Sequence, residues 1–301
     1  MTSNKILITG GTGFLGSHLI QRLSQQGYEL TVLSRNADKV TQKFGHLVSP
    51  ATRIADLPDA GTFKAVINLA GAGIFDRYWT NARKRILRES RIQLTQNLVK
   101  WINSSKAPCE VLISGSAIGI YGDQGDTILE ESSHSLADFS SQLCEDWEKA
   151  ALEATAATRV CLIRTGLVLG NNGGLLQRMR LPFQLGLGGT IGNGRQWMSW
   201  IHIEDWLSIV DYLINNPKLK GPFNATAPNP VTNLTFSTCL AGTLKRPMLL
   251  PLPASPMKLL LGEMASLVLG SQRVLPQRLL AEGFKFEYPE LEAAMHKLLQ
   301  P

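Results

Sequence analysis

Three glycines, Gly10, Gly13 and Gly16, stand at G-x-x-G-x-x-G spacing in "TGGTGFLG", between the apolar run "KILITG" and the helical stretch "SHLIQRLSQQG". Glycines so placed let the chain turn sharply after a strand. They also let backbone N–H groups approach a pyrophosphate at a helix N-terminus, and the third allows close helix–strand packing. Because the triplet follows a strand and opens a helix, it reads as a dinucleotide site formed by Gly10, Thr12, Gly13, Phe14, Leu15 and Gly16. The next strand, "YELTVLSR", ends in Ser34 and Arg35, with no carboxylate before Asp38. An acid at that point takes a ribose 2′-hydroxyl, whereas a hydroxyl and a guanidinium suit a 2′-phosphate, so NADP(H) is the expected cofactor.

These residues need a scaffold, and the pattern along the chain supplies one. After the first β-α-β unit come an apolar strand at 65–71, a long helix at 80–104, a strand at 110–116, a helix at 136–156 and a strand at 159–166. Near-continuous apolar strands separated by helices imply a parallel sheet covered on both faces. The expected fold class is α/β: a Rossmann-type doubly wound parallel sheet with a smaller C-terminal substrate lobe. The pattern loosens after residue 170, and a Pro-rich turn near Pro228–Pro230 marks a soft boundary. Residues 1–227 are expected to form the nucleotide-binding domain. Residues 228–301 are expected to form a small, mostly helical module covering the substrate cleft.

Composition narrows the function classes. The chain has 301 residues, 44% apolar and 18% charged, as in ordinary globular proteins. Its net charge of +6 is scattered, apart from Arg83-Lys84-Arg85 with Arg88 and Arg91 following. No groove-reading or aromatic-interleaved motif accompanies that cluster, so it reads as a solvated helix face and no nucleic-acid partner is expected. The four cysteines lie far apart, without C-x-x-C or a histidine at ligand spacing, which predicts no metal site and a reducing compartment. The chain enters a strand directly after "MTSNK", and its most apolar late segment, Met257 to Leu269, is broken by Glu263. A cytoplasmic protein with a small-molecule substrate and no membrane association is expected.

Further blocks carry a family resemblance: "INLAGAGI", "SRIQLTQNL", "LIRTGLVLG", "PFQLGLGGTIGNGRQWMSWIHIEDW", "NATAPNPVT" and "LPQRLLAEGF". With the glycine turn, they resemble the extended short-chain dehydrogenase/reductase superfamily and, within it, the atypical epimerase-like YfcH family, over essentially the whole chain. The resemblance implies an NADP(H)-binding fold of uncertain substrate. It also implies that Leu69, Ala70 and Gly71 run beneath the adenosine side, that Asp56 contacts the adenine, and that Thr165, Gly166 and Leu167 lie against the carboxamide. Arg91 takes the place of an asparagine beneath the nicotinamide ribose; alternatively it is an exposed partner of Glu89 or Glu145.

In most of that superfamily a serine or threonine works with a Tyr-x-x-x-Lys pair on the following helix, the tyrosine transferring the proton and the lysine lowering its pKa. Ser116 matches the serine. The helix "ADFSSQLCEDWEKAA" at 137–151 offers neither a phenol nor an amine in either register: one places Phe139 and Leu143 at the pair, the other Ser140 and Cys144. Phe139, Leu143 and Trp147 instead recur at i, i+4 and i+8, predicting a packed wall. Ser116, Tyr121, a bound water or the substrate itself remain as sources of the proton, while His202 reads as a packed or capping histidine. The substrate cleft is expected between the sheet's C-terminal edge and the later lobe, walled by residues 186–200. Trp79, Arg195 and Trp197 would line it and Gln196 would add a polar contact, while Trp197, Trp200 and Trp206 together read as partly core and partly a stacking wall. Two functions stay open: an oxidoreductase or epimerase-like enzyme with a rearranged proton relay, or an NADP(H)-binding sensor or partner module.

Overall fold

The computed structural model describes residues 3–171 and 173–300. In chain order, β1 (Lys5–Thr9), α1 (Phe14–Gln25), β2 (Glu29–Leu33), α2 (Ala37–Phe44), β3 (Val48–Ala51) and β4 (Ala65–Asn68) come first. Then follow α3 (Asn81–Ser104), β5 (Val111–Ala117), β6 (Ile128–Leu129), α4 (Phe139–Leu152), β7 (Arg159–Thr165), β8 (Leu167–Leu169) and α5 (Gly174–Gln184). β9 (Trp197–Met198), β10 (Trp200–His202), α6 (Ile203–Asn215), β11 (Gly221–Ala225), β12 (Val231–Thr232) and α7 (Asn233–Thr243) lead to the C-terminal elements. These are α8 (Ala254–Leu261), α9 (Ser266–Leu269), β13 (Arg273–Val274), α10 (Gln277–Ala281) and α11 (Leu291–Leu299).

Seven strands form one parallel sheet in the order β11-β7-β5-β4-β1-β2-β3. Strand side chains alternate between the two faces, so a sheet covered on both sides needs apolar residues at every position. β1 shows this directly: Ile6 and Ile8 enter one core with Leu19, Ile20, Leu23 and Trp206 of α1 and α6, and Leu7 enters the other with Leu98, Val99 and Ile102 of α3. The doubly wound architecture is therefore the one expected. β3 escaped the sequence reading because Pro50 interrupts its short run, "VSPA"; a proline is tolerated there because the strand lies at the sheet's edge.

Strand order reverses at β1, which has β2 on one side and β4 on the other. The C-terminal ends of β1 and β4 meet with Thr9 opposite Asn68, and ligands of open α/β sheets lie outside such a crevice. The chain after residue 228 divides its packing. α5, α7 and α11 build a lobe around Leu176, Phe183, Phe236, Leu240 and Met295. The intervening stretch returns to the sheet: β13 pairs with β6, and Leu279 and Phe284 join the first core. Arg278 lies over the Phe223 ring at 4.2 Å and donates to the carbonyls of Pro222 and Lys220 at 2.5 and 2.8 Å. Among the described residues no helix is long and apolar enough to cross a membrane.

Candidate functional site

The turn after β1 is built as its glycines suggest. Gly10 has φ +72°, and a Cβ there would stand 2.7 Å from the Leu69 carbonyl carbon, so only glycine lets the two loops touch. Gly16 is closed in the same way, 2.4 Å from the Gly10 carbonyl oxygen, which brings α1 hard against the turn. The Gly13 amide donates to the Gly10 carbonyl at 3.0 Å. α1 starts at Gly13 without a side-chain cap and without an acidic residue in its first turn, leaving its positive end open to an anion. Leu69 and Ala70 hang on Thr9, which receives the Leu69 amide on its carbonyl and the Ala70 amide on its hydroxyl, both at 3.2 Å. Phe14 and Leu15 turn their side chains onto the core rather than into the crevice. The Phe14 ring fills the space beside Gly170, Gly173 and Gly174, closing the β8–α5 loop over the turn.

β2 runs in register with β1, Leu33 opposite Thr9, so Ser34 and Arg35 emerge beside the glycine turn. Arg35 is exposed, and among the described residues it is salt-bridged to no carboxylate, unlike nearby Arg53. Two lysines that the sequence reading passed over join it from α2. Lys39 lies in that helix's first turn, and Lys43 donates to the Thr12 carbonyl at 3.0 Å and to Ser17 Oγ at 2.5 Å. Burial, and secondarily the charge of Lys39, push the Lys43 ammonium below its usual pKa. Their signal was present: "ADKVTQK" returns two lysines to one helix face four residues apart. Asp56 does not point free toward an adenine; it is exposed and holds Arg53 through two hydrogen bonds of 2.9 and 2.7 Å.

Arg91 is half-buried and, among the described residues, forms no salt bridge with Glu89 or Glu145. Its guanidinium packs where a Gly71 side chain would be, 2.8 Å from the ideal Cβ, and lies 5.3 Å from the Trp147 ring centroid. Burial, together with the nearby charge of Arg83, lowers its pKa from the ordinary value. Thr165 accepts the Trp206 indole N–H at 3.2 Å, and Leu167 starts β8 beyond Gly166.

Neither candidate hydroxyl is free. Ser116 donates to Glu148 Oε1 at 2.7 Å, and Arg164 grips the same carboxylate through Nε and Nη2 at 2.8 and 2.9 Å. Arg164 Nη1 donates to Tyr121 Oη at 2.9 Å, and that phenol donates to Asn224 Oδ1 at 2.6 Å. Burial alone would lower the Arg164 pKa, but the Glu148 carboxylate raises it above the usual range. Tyr121 is fully buried, and burial pushes its phenol up to about 12. Tyr121, a candidate for the proton, is instead closed into the core: its ring packs in a cluster with Ile118, Ile120, Leu129 and Val274. The Glu148–Arg164 pair was not anticipated, because the two charges lie on different elements and the sequence does not show them meeting.

α4 begins with a capping box between Asp138 and Ser141. Ser140 and Cys144 face the turn at Gly119, at 3.5 and 4.0 Å from its ideal Cβ. Burial and the neighbouring Glu148 push the Cys144 thiol up to about 12, leaving no thiolate nucleophile at neutral pH. Leu143 and Trp147 are buried and Phe139 half-buried, forming the predicted wall. The helix's one lysine, Lys149, is exposed.

The expected substrate residues are dispersed. Trp79 donates to the Ile74 carbonyl at 3.0 Å and packs edge-on against Phe139. Arg195 is exposed. Gln196 is buried, bonding the carbonyls of Ile191 and Val268 at 2.9 and 3.3 Å. Trp197 is held by Asp126 at 2.7 Å and covered by Arg273, while Trp200 and Trp206 are fully buried core residues. The 186–196 loop packs on 249–252, its Gly192 amide donating to the Leu252 carbonyl at 2.8 Å. A cavity of about 710 Å³ instead lies between residues 75–86 and the C-terminal Leu261 and Met264.

His202 caps α6, accepting the Glu204 amide on Nδ1 at 3.2 Å, and packs on Tyr288 with ring centroids 3.9 Å apart. Burial lowers its pKa to about 4. The folded chain thus refuses a proton that the unfolded chain accepts below pH ~6.5, so stability falls as pH drops through that window toward the folded pKa. A loss of about 2 kcal/mol between pH 7.5 and pH 5 is expected from this residue alone. Urea unfolding at both pH values, with His202→Asn as reference, checks it; an equal loss in the variant would contradict the assignment.

Residues 6–225 match the NAD dependent epimerase/dehydratase family. The chain belongs to that family. A second match, to a domain of unknown function (DUF1731), covers residues 252–298 of this epimerase-family chain. It is 40% identical over 300 residues to the epimerase family protein YfhF of Bacillus subtilis, covering 98% of this chain and 97% of that protein. It is 39% identical over 301 residues to the chloroplastic SDR39U1 homolog of Arabidopsis thaliana, covering 98% and 86%. The crystal structure of human epimerase family protein SDR39U1 with NADPH superposes with a TM-score of 0.91 at 33% identity, covering 98% of this chain and 99% of that one. UDP-glucuronic acid 4-epimerase of Bacillus cereus, at 15% identity and a TM-score of 0.75, shares the fold alone.

Proposed function

We propose that this chain binds NADP(H) and uses it on a small-molecule substrate, as a cytoplasmic oxidoreductase or epimerase-like enzyme whose proton relay does not run through α4. The observation that carries the cofactor reading is Arg35, exposed and without a carboxylate partner among the described residues, beside a glycine turn into which side chains do not fit. Gly10, Gly13, Gly16 and the open end of α1 would hold the pyrophosphate, Ser34 and Arg35 the 2′-phosphate, and Leu69 to Gly71 the adenosine side. The NADPH complex of the human relative supports the assignment. When bound, the cofactor supplies hydride transfer.

Arg91 takes over, from α3, the positive charge that the lysine of the usual pair would bring to the ribose. A guanidinium stays protonated and donates in a fixed plane, so it can orient hydroxyls and stabilise a developing oxyanion but gives up no proton. Ser116 and Tyr121 spend their hydroxyl protons on Glu148 and Asn224. The proton of any reaction therefore comes from water or the substrate, and ordinary alcohols and ketones should not be turned over. The locked hydroxyls also suit a module that binds NADP(H) without turnover; the cavity beside the crevice favours an enzyme. Titrating the unmodified chain with NADPH and NADH tests the reading. NADPH should bind more tightly by about tenfold or more, and equal affinities would end it.

A further inference from the structure

The basic cluster at the start of α3 is not a uniform solvated face. Lys84 is paired with Glu263 and Arg88 with Asp146. Arg83 and Arg91, two helical turns apart, have no such partner among the described residues, and both reach the strand of chain at Gly71–Gly73. Arg83 Nη2 donates to the Gly73 carbonyl at 2.5 Å, while its Nε is buried without a partner. Two neighbouring cations partly withdrawn from water and lacking a counter-charge form an arrangement that proteins avoid unless an anion joins them. Arg91 is already assigned to the cofactor side. Arg83 lines the cavity of about 710 Å³, a volume in the range of small-molecule sites.

We propose that this cavity takes the substrate, and that the substrate is a small anion, a carboxylate or phosphate on an apolar or aromatic body, with its charge on Arg83 and Arg77. The inference rests on the NADP(H) reading for its place beside the cofactor, but not for its chemistry. Phe75, Tyr78, Leu261 and Met264 supply the apolar walls, and Tyr78 is 63% exposed, presenting its ring to an incoming molecule. The one carboxylate on the wall, Asp76, is drawn toward Arg178 at 3.9 Å. Leu261 and Met264 belong to the C-terminal module, so an occupant of this cavity touches both parts of the chain.

The test is calorimetric titration of the NADPH-loaded chain with 2-naphthoate and with its neutral counterpart, 2-naphthamide. Naphthoate should bind about tenfold more tightly, the advantage of one charge-assisted contact. Arg83→Gln should erase that advantage while leaving NADPH affinity unchanged, and Arg85→Gln, on the exposed neighbour, should leave both unchanged. Arg77→Gln, on an exposed loop, reads the same loss should Arg83→Gln not fold. Equal binding of the two probes, binding of neither, or loss of NADPH affinity in Arg83→Gln would each overturn the proposal. If NADPH itself fails to bind, the cofactor reading falls alone, because the two naphthyl probes can still be compared on the free chain.

Discussion

Replacing Glu148 with alanine is expected to destabilise the fold by about 3–5 kcal/mol, the usual consequence of leaving one member of a buried ion pair alone. The carboxylate accepts from Ser116 and, in two places, from Arg164, whose residue is 8% exposed. Without it the guanidinium keeps the Tyr121 hydroxyl and the Glu131 carbonyl, both neutral, and cannot shed its charge. The melting temperature should fall on the order of 10 °C. Glu148→Gln, which keeps an acceptor for Ser116, should fall between. Tyr121→Phe should cost only about 1–2 kcal/mol, for an unpartnered Asn224 carbonyl and one lost acceptor. Urea unfolding curves decide; a loss below about 1 kcal/mol for Glu148→Ala would show that the pair is solvated and does not tie β5, α4 and β7 together.

The second large effect lies at the other end of the crevice. Arg35→Ala should weaken NADPH binding by about 10- to 100-fold while changing NADH binding little, because the lost contact is charge-assisted and meets only the 2′-phosphate. Lys39 and Lys43 set the residual preference. Lys43 already spends donors on Thr12 and Ser17, so it cannot replace the fork that Arg35 presents. Parallel fluorescence titrations with the two cofactors measure this. An equal drop for both would mean that Arg35 supports the turn rather than reading the phosphate.

What the sequence disclosed follows from how local each signal is. The glycine turn and the strand alternation are written in contiguous residues, and both were legible, as was the emergence of Ser34 and Arg35 beside that turn. So was the packed stripe of α4, because helical periodicity alone puts Leu143 and Trp147 on one face. The burial of Tyr121 was not legible: it follows a strand, as a cleft residue would, yet the chain turns it inward onto Asn224, more than a hundred residues away. Glu148 and Arg164 were ordinary charges until the sheet brought α4 onto β7. The cavity was missed for the same reason, since its floor and roof are residues 75–86 and 261–264. The tryptophans of the 197–206 segment were read as partly core and partly a wall for a ligand, without saying which was which. Trp200 is core because β10 pairs with β8 and carries it into the lobe, and Trp206 because α6 packs it into the first core.

A crystal structure of the chain grown with NADPH tests at once whether the cofactor is held at the β1–α1 turn and whether the helix beside it offers no proton. The predicted result places the 2′-phosphate on Ser34 and Arg35. It also places the nicotinamide ribose within hydrogen-bond reach of Arg91, with Tyr121 still on Asn224 and Arg164 and no tyrosine or lysine side chain within about 4 Å of nicotinamide C4. A 2′-phosphate bound away from Arg35, or a Tyr121 hydroxyl swung out to face nicotinamide C4, would contradict it.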